Sequence, residues 1–488
     1  MKKLILAILF FVFFAGLLCG KMHFYFSHSV DTTLANPNKA KGFVALDEKL
    51  VDRIVQAQYS IDFCFYNIKR RNIVDSLLSA FNRGVDVRVI TEHDHINNQA
   101  VQDLINAGIP VIDDTFGNNL GERYMHNKFA IFDFRDSTYV SDDWIWTGSY
   151  NITDGGTESN ANSCIEIQDN ELVRAYTLEF EEMWGSNTNV PDPVNSRFSY
   201  FKTDNTEHSF LIDSVPVELY FSPSDHSTEK ICNAVSTADS TIYFCIFAFT
   251  RQDVCDTMKT KWDAGISVKG VFDKGDWFSP LSKRHDMTGG GVNPWNPPAP
   301  VFLDSVKAPW GPKMLHHKYM IIDADCYSEP IVVTGSQNWS NNGELYNDEN
   351  TLIIHSQDIA NQYLQEFVER YREAGGDYVG CTNKKGDIRH KTTDIRLTSQ
   401  PNPFTTSTTI TLSLPSIEHR AEGIELKIYD VNGRLLRSFT LTTDNYSLTT
   451  VVSWDGKDNT GQKVSSGVYF LKLNSREYTI SKKLILIR

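Results

Sequence analysis

The chain repeats itself, and the repeat leaves few folds open. Residues 54–66 read IVQAQYSIDFCFY and residues 234–247 read AVSTADSTIYFCIF, each a helix end, a small polar turn and an apolar strand. A second helix follows in each copy, NIVDSLLSAFNRG and DVCDTMKTKWDAG, then the strands VDVRVIT and ISVKGVF. The glycine closing each helix is a natural C-cap. Strand, helix and strand with short links predict an α/β sheet built twice. Cys64 falls on Cys245, His126 on His316 and Gly148 on Gly335, and from Gly148 to Trp184 the second copy follows without a gap. Tyr176 and Phe180 fall on Tyr363 and Phe367, in LVRAYTLEFEEMW and IANQYLQEFVERY, whose apolar residues recur at three- and four-residue steps. The halves are placed at 40–190 and 214–378, and the polar stretch 186–213 reads as the linker between them. The Gly- and Pro-rich insertion 284–300 belongs to the second half and is expected at the rim of a site.

The 488 residues are 41% hydrophobic and 12% aromatic, enough for several cores. A formal net charge of −14 gives no overall footprint for nucleic acid, although a local basic pocket can sit in an acidic shell. Two lysines lead the apolar run from Leu4 to about Cys19, the layout of a secretory signal peptide over residues 1–20. The eight cysteines form no CxxC pair, so no structural zinc site is expected. Cys64 and Cys245 sit in core-like strands, and Cys232 and Cys255, which flank the second of these, could pair in an oxidising compartment.

Each half carries H-x-K-x4-D followed by G-S-x-N: His126, Lys128, Asp133, Gly148, Ser149 and Asn151 in the first, His316, Lys318, Asp323, Gly335, Ser336 and Asn338 in the second. This residue set suits a phosphodiester. A lysine offers point charge to phosphate oxygens, Ser hydroxyl and Asn amide donors can meet developing charge, and histidine serves as nucleophile or general acid near neutral pH. Asp133 and Asp323 are expected to hold the motif strand and its turn. His317 should face the opposite side of the strand from His316, and His93 and His95 a solvated loop. Trp295 and Trp310 are weighed equally as groove-lining or core residues.

The doubled motif resembles the phospholipase D superfamily over about residues 43–375. The resemblance implies two α/β/α-sandwich domains related by a pseudo-two-fold axis, one active site between them, a covalent phosphohistidine and no metal or other cofactor. In that family an acid placed after G-S-x-N orients the catalytic histidine. Glu349 stands there in the second half and the amide Asn162 in the first. A carboxylate favours a charged imidazole, so the expectation is that Glu349 partners His316 as the general acid, with Asn162 beside a nucleophilic His126.

From about residue 397 the chain changes to short alternating strands separated by turns such as VNGR and DGKDNTG, an all-β sandwich over 397–488. PNPF at 401–404, IYDVNGRLL, WDGKDNTGQKVSSGVYF and the final SKKLILIR resemble the FlgD-like immunoglobulin fold, also used as a C-terminal sorting domain in type IX secretion. Gly433 and Gly456 are read as turn glycines, and Val468 and Phe470 as alternating into the core. The whole then reads as a secreted or surface-bound phosphodiesterase acting on phospholipid, with a nuclease or a non-catalytic binding protein as alternatives. The expected partners are the phosphodiester and, through the tail, secretion machinery; no stable protein partner is evident.

Overall fold

The structure, a computed structural model, describes residues 21–488 apart from 122, 137–139, 305–313, 326–328, 381–395, 401, 403, 414–424, 431–433, 441–448, 475–478 and 488. The expected signal peptide, Cys19, Trp310, Cys326, Cys381 and Gly433 lie outside the described residues. The chain divides into two units, residues 1–382 and 383–488.

The first unit holds both repeats. In the first, β1 (Lys21–Phe26), α1 (Leu46–Gln56), β2 (Ser60–Phe65), α2 (Arg71–Asn82), β3 (Asp86–Thr91), α3 (Gln99–Asn106), β4 (Val111–Asp113), β5 (Lys128–Phe132), β6 (Trp144–Gly148), α4 (Asp154–Glu158), β7 (Ser163–Gln168) and α5 (Asn170–Trp184) follow in order. The second runs β8 (Ser209–Ile212), β9 (Val215–Ser222), α6 (Ser227–Ser236), β10 (Thr241–Ile246), α7 (Gln252–Asp263), β11 (Ser267–Phe272), α8 (Lys274–Trp277), α9 (Arg284–Met287), β12 (Val301–Leu303), β13 (Lys318–Ile322), β14 (Ile331–Gly335), α10 (Asn341–Leu345), β15 (Glu349–His355) and α11 (Gln357–Glu373).

The sheets have matching orders, β1-β7-β6-β5-β2-β3-β4 and β12-β11-β10-β13-β14-β15-β9-β8, so β8 is an addition to the second edge. Only β2-β3-β4 and β10-β11-β12 pair in parallel. Every residue of β2 and β10 is buried, because helices cover both faces of each sheet. Outer helices pack on one face of each sheet to form separate clusters around Phe63 and Phe244. The two inner faces, α5 and α11 share one core. Within it Tyr363 of α11 stands edge-on to Phe26 of β1, and Tyr176 of α5 to Phe221 of β9, so each central helix also packs on a strand of the other half.

Both long helices start at side-chain caps, Asp169 on the Leu172 N–H and Ser356 on the Ile359 N–H. Asp133 and Asp323 brace the strands as expected. Asp133 Oδ1 accepts the N–H groups of Tyr59 and Ser60, and Asp323 Oδ1 those of Ser240 and Thr241.

Residues 186–213 connect the halves and are also tied into them: Lys202 is buried on Glu179 and Asp348, and Ser209–Ile212 joins the second sheet. Two expectations need correction. The 284–300 insertion packs on α7, with Trp295 buried, Trp262 Nε1 donating to the Pro297 carbonyl and Asn293 Nδ2 to Asp256. Trp295 is thus core and not a groove wall. Cys232 and Cys255 are free thiols.

The second unit is all β. Strands β16 (Arg396–Gln400), β17 (Thr408–Ser413) and β20 (Thr449–Trp454) form one sheet; β19 (Leu435–Thr440), β18 (Glu425–Asp430), β21 (Gly467–Asn474) and β22 (Thr479–Leu486) form the other. Both contribute to one core around Trp454. Gly456 has φ 67°, as a turn glycine should. The alternation of β21 is opposite to that read from sequence. Tyr469, Leu471 and Leu473 are buried and Phe470 is 42% exposed, because a one-residue shift of register exchanges the faces of a strand.

Gly148 and Gly335 end the strands before the two Ser-Asn turns with φ 147° and 143°. A Cβ on Gly335 would lie 2.2 Å from the Asn350 carbonyl oxygen. Gly335→Ala should therefore cost about 3 kcal/mol. Gly265→Ala, where the added Cβ meets nothing within 4 Å, should cost about 1 kcal/mol. Denaturation midpoints of the full-length variants measure the difference, and equal midpoints would refute it.

Candidate active site

His126 and His316 precede β5 and β13, which return antiparallel to β2 and β10. Both therefore sit at the carboxyl ends of the parallel strands. The halves are stitched together immediately in front of them. Met125 bridges Asp348, with the His126 N–H on the Asp348 carbonyl at 3.0 Å and the Asp348 N–H on the Tyr124 carbonyl at 3.1 Å. The mirror contact joins Leu315 and Ala161, with the His316 N–H on the Ala161 carbonyl and the Ala161 N–H on the Met314 carbonyl, both at 2.9 Å.

These bridges decide the histidine partners, and the pairing differs from the expected one. Glu349 does not partner His316. Its Oε2 lies 2.8 Å from His126 Nδ1, and Asn162 Oδ1 lies 3.1 Å from His316 Nδ1. Glu349 and Asn162 directly follow the bridging residues Asp348 and Ala161, so each is delivered to the histidine of the opposite half.

The serines are used differently from the expectation. Ser149 Oγ donates to Asn162 Oδ1 at 2.9 Å and Ser336 Oγ to Glu349 Oε2 at 2.8 Å. They orient the groups behind the rings and are not aimed at a phosphate. Asn347 Nδ2 donates to Glu349 Oε1 at 3.3 Å. Asn151 and Asn338 keep buried Oδ1 atoms without a hydrogen bond, acceptors open to a ligand's N–H or O–H donor. Lys128 Nζ and Lys318 Nζ each donate to the carbonyl of their own histidine, at 2.5 and 2.7 Å.

Two aromatic residues not singled out in the sequence complete the walls. Tyr66 stands edge-on to His126 with ring centroids 4.9 Å apart, and Phe247 to His316 at 4.8 Å. Glu92 and Asp273 end β3 and β11 and accept the N–H groups of Met125 and Leu315, at 2.6 and 3.1 Å. The repeat register puts Tyr66 opposite Phe247 and Glu92 opposite Asp273, so the signal was available. His317 is buried with Nε2 on Glu366 at 3.0 Å, facing away from the site as expected. His95 stands edge-on to Tyr66, so the TEHDH turn reaches the site wall through His95, while Asp94 is exposed and His93 partly exposed.

Electrostatically the site is short of negative charge, with the Glu349 carboxylate set against two lysines. Burial, then the charges of both lysines, holds both histidines well below their ordinary value. Burial pushes Lys128 down to about 7, and Lys318 well below the usual ammonium range. Burial also raises Glu349 to about 7, opposed by Lys128 and by the Ser336 and Asn347 hydrogen bonds.

The sequence matches the family described as "Cardiolipin synthase, PLD-like domain" over residues 50–184 and 231–371, together more than half of the chain. The chain belongs to the phospholipase D superfamily. Residues 400–487 match the secretion system C-terminal sorting domain. Among curated relatives, the mitochondrial cardiolipin hydrolase of Xenopus tropicalis is 32% identical over 138 residues, 28% of this chain and 60% of that protein. The human protein of the same name is 31% identical over 138 residues, 28% of this chain and 50% of that protein. The chain thus spans about half to three fifths of the length of these relatives. In fold it is similar to polyphosphate kinase from Porphyromonas gingivalis, with TM-score 0.50 and 10% identity over 72% of this chain and 47% of that one. NucT from Helicobacter pylori is 23% identical over 32% of this chain and 96% of its own, at TM-score 0.28.

A phospholipase D-like site so short of negative charge should respond to pH and to anions together. The histidines titrate lower in the folded chain than in the unfolded one, so between those values the unfolded chain binds more protons. Their contribution to stability is full above about 6.5 and is lost as pH falls. Lys128 acts in the same sense from its ordinary 10.5 down to about 7. Glu349 opposes them, since its raised value costs stability as pH rises towards 7. The unfolding temperature should therefore fall below pH 6.5. Millimolar sulfate, a dianion throughout this range, should raise it more at pH 6 than at pH 8. Equal shifts at the two pH values would show that the cluster does not take up protons with an anion.

Proposed function

We propose that the protein is an exported phosphodiesterase that hydrolyses phospholipids through a phosphohistidine on His126, with His316 as general acid. The carrying observation is the unequal partnering of the two rings. Glu349 accepts the Nδ1–H of His126 and leaves Nε2 with its lone pair. When Nε2 attacks phosphorus the ring becomes a phospho-imidazolium, and the Glu349 carboxylate offsets that charge. As the P–N bond forms, the bond to the leaving oxygen breaks and His316 Nε2 donates its proton to that oxygen. Asn162 fixes the His316 ring through Nδ1 but adds no charge. The proton affinity of His316 is then set by what enters between Lys128 and Lys318: a phosphate anion reverses their repulsion and lets the ring carry the proton it must give away. In the second step His316 removes a proton from water, the water oxygen attacks phosphorus, the P–N bond breaks and His126 is regenerated. His126 keeps the role expected from sequence, for a different physical reason. A carboxylate serves the ring whose charge is made during the reaction.

The phospholipid reading is supported by the surface beside Glu349. Leu120, Arg123, Tyr200, Phe201 and Asp348 line one depression, and Leu120, Tyr200 and Phe201 are exposed there. Phe278 and Leu281 are exposed on the segment after α8, which starts at Asp273 beside Leu315. An apolar margin and a net charge of −14 suit a lipid interface better than a nucleic-acid backbone. The tail supports export, by a type IX route.

Phospholipid vesicles, single-stranded DNA and RNA offered with chelator present test the substrate. Release of headgroup from vesicles is expected; cleavage of nucleic acid alone would replace the lipid reading with the nuclease. His126→Ala and His316→Ala should each lower the rate by about 10³-fold. Mass spectrometry of the alkaline-quenched reaction should find the phosphatidyl group, or its deacylated remnant, on the His126 peptide. The same group on His316 of the wild type would overturn the assignment.

A further inference from the structure

Beside the first histidine, three side chains stand in an arrangement that the phosphodiesterase chemistry does not use. The chain leaves β3 through Glu92 into a short 3-10 turn, His93–His95. Glu92 is completely buried and its two oxygens differ. Oε2 accepts the Met125 N–H. Oε1 accepts no hydrogen bond and faces His93 Nδ1 at 2.9 Å. Asp114, 2% exposed, comes to the same nitrogen from the end of β4. Its Oδ1 lies 3.0 Å from Nδ1 and accepts the His93 backbone N–H at 3.0 Å, while its buried Oδ2 has no hydrogen bond. The loop from Asp114 passes the ring at Gly121, where a Cβ would come within 3.3 Å of Nδ1.

One imidazole nitrogen carries at most one hydrogen, and here it is aimed at Asp114. Two buried carboxylate oxygens are left without a donor, which is costly unless a cation joins them. The second half shows the satisfied form. There Asp273, the counterpart of Glu92, accepts the Gly275 N–H on Oδ1 and the Leu315 N–H on Oδ2, and Lys274 takes the position of His93.

We propose that Glu92, His93 and Asp114 bind a divalent transition-metal cation through Oε1, Nδ1 and a carboxylate oxygen of Asp114. One nitrogen and two carboxylate oxygens suit zinc or manganese better than magnesium or calcium. Ligands about 2.0–2.2 Å from a shared tetrahedral ion lie about 3.3–3.6 Å apart, so the two oxygens, now 2.9 and 3.0 Å from Nδ1, open by a few tenths of an ångström when the ion enters. Half-exposed His93 leaves the fourth position to water. Binding displaces the Nδ1 proton. The cation is a positioning element: through Glu92 it ties the Asp114–Gly121 loop to the backbone in front of His126. No step on His126 or His316 passes through it, so the inference stands apart from the substrate reading.

Zn²⁺ is titrated into chelator-stripped full-length protein, with bound metal counted by mass spectrometry and unfolding temperature recorded. A Asp204→Asn background removes the surface group of Asp204, His208 and Asp225, whose ligand atoms also converge. About one equivalent of Zn²⁺ should bind and raise the unfolding temperature by several degrees. His93→Gln and Asp114→Asn should each weaken binding at least tenfold, judged by the rank of such losses for metal ligands. Binding that is equal in these variants, or no uptake with an unmoved unfolding temperature, would overturn the proposal. Should either variant fail to fold, Co²⁺ added to the wild type decides: a four-coordinate nitrogen–oxygen visible spectrum supports the site, and an aqueous Co²⁺ spectrum overturns it.

Discussion

Everything that gives the two histidines a common site depends on two short backbone bridges. Met125 with Asp348 and Leu315 with Ala161 hold the halves together one residue away from His126, Glu349, His316 and Asn162. Each bridge pairs backbone N–H and C=O groups that would otherwise lose their partners where the halves meet. Because the bridging residues are the immediate neighbours of the functional ones, any sliding between the halves would separate ring from partner. The shared core of α5 and α11 resists that sliding, with Tyr363 and Tyr176 packed on β1 and β9 of the opposite halves. Residues 21–40 add to it: the Ala40 N–H reaches Gln365 Oε1 at 2.9 Å and Asn36 N–H reaches Asn361 Oδ1 at 2.8 Å, both on α11.

The same architecture explains which features were legible in the sequence. Hydrophobic periodicity and the Gly-Ser-x-Asn turns report on local backbone, and they locate β2, β10, α5 and α11 and both motif strands. A repeat identifies equivalent residues but does not say which copy serves which. Glu349 and Asn162 were therefore visible as an unequal pair, whereas their crossing to the opposite histidines follows from how the sheets meet, a contact between residues more than 150 positions apart. Tyr66 and Phe247 were within reach, since the register aligns them, but neither belongs to a motif. In the tail, β21 alternates so regularly that either face could be inward. Only the partner strands, β18 and β22, settle that Tyr469, Leu471 and Leu473 point in.

Behind the motif strands the halves diverge in a way that bears on charge. Asn127 and His317 hold equivalent positions and each reaches a buried glutamate of the central helix, Glu179 at 3.4 Å and Glu366 at 3.0 Å. Lys202, from the segment between the repeats, neutralises Glu179 and also meets Asp348 at 3.2 Å. In the second half Arg370 of α11 itself neutralises Glu366 at 3.1 Å. A buried carboxylate with one cation removed would be strongly destabilising, so the segment 186–213 became a structural part of the first half when its helix lacked an arginine.

That arrangement also constrains the chemistry. Asp348 stands between Lys202 and the bridge to Met125, so the charge of Lys202 is satisfied on the side away from the site, while Lys128 and Lys318 face it with Glu349 near both and Asp273 near Lys318. The asymmetry of the rings then has a direct consequence. With one carboxylate bonded directly to a ring among two lysines and two histidines, burial and mutual repulsion favour the neutral bases in the empty site. On the proposed mechanism, a phosphate would bring the missing charge, so that substrate binding and protonation of His316 become one event, which a second carboxylate at position 162 would separate.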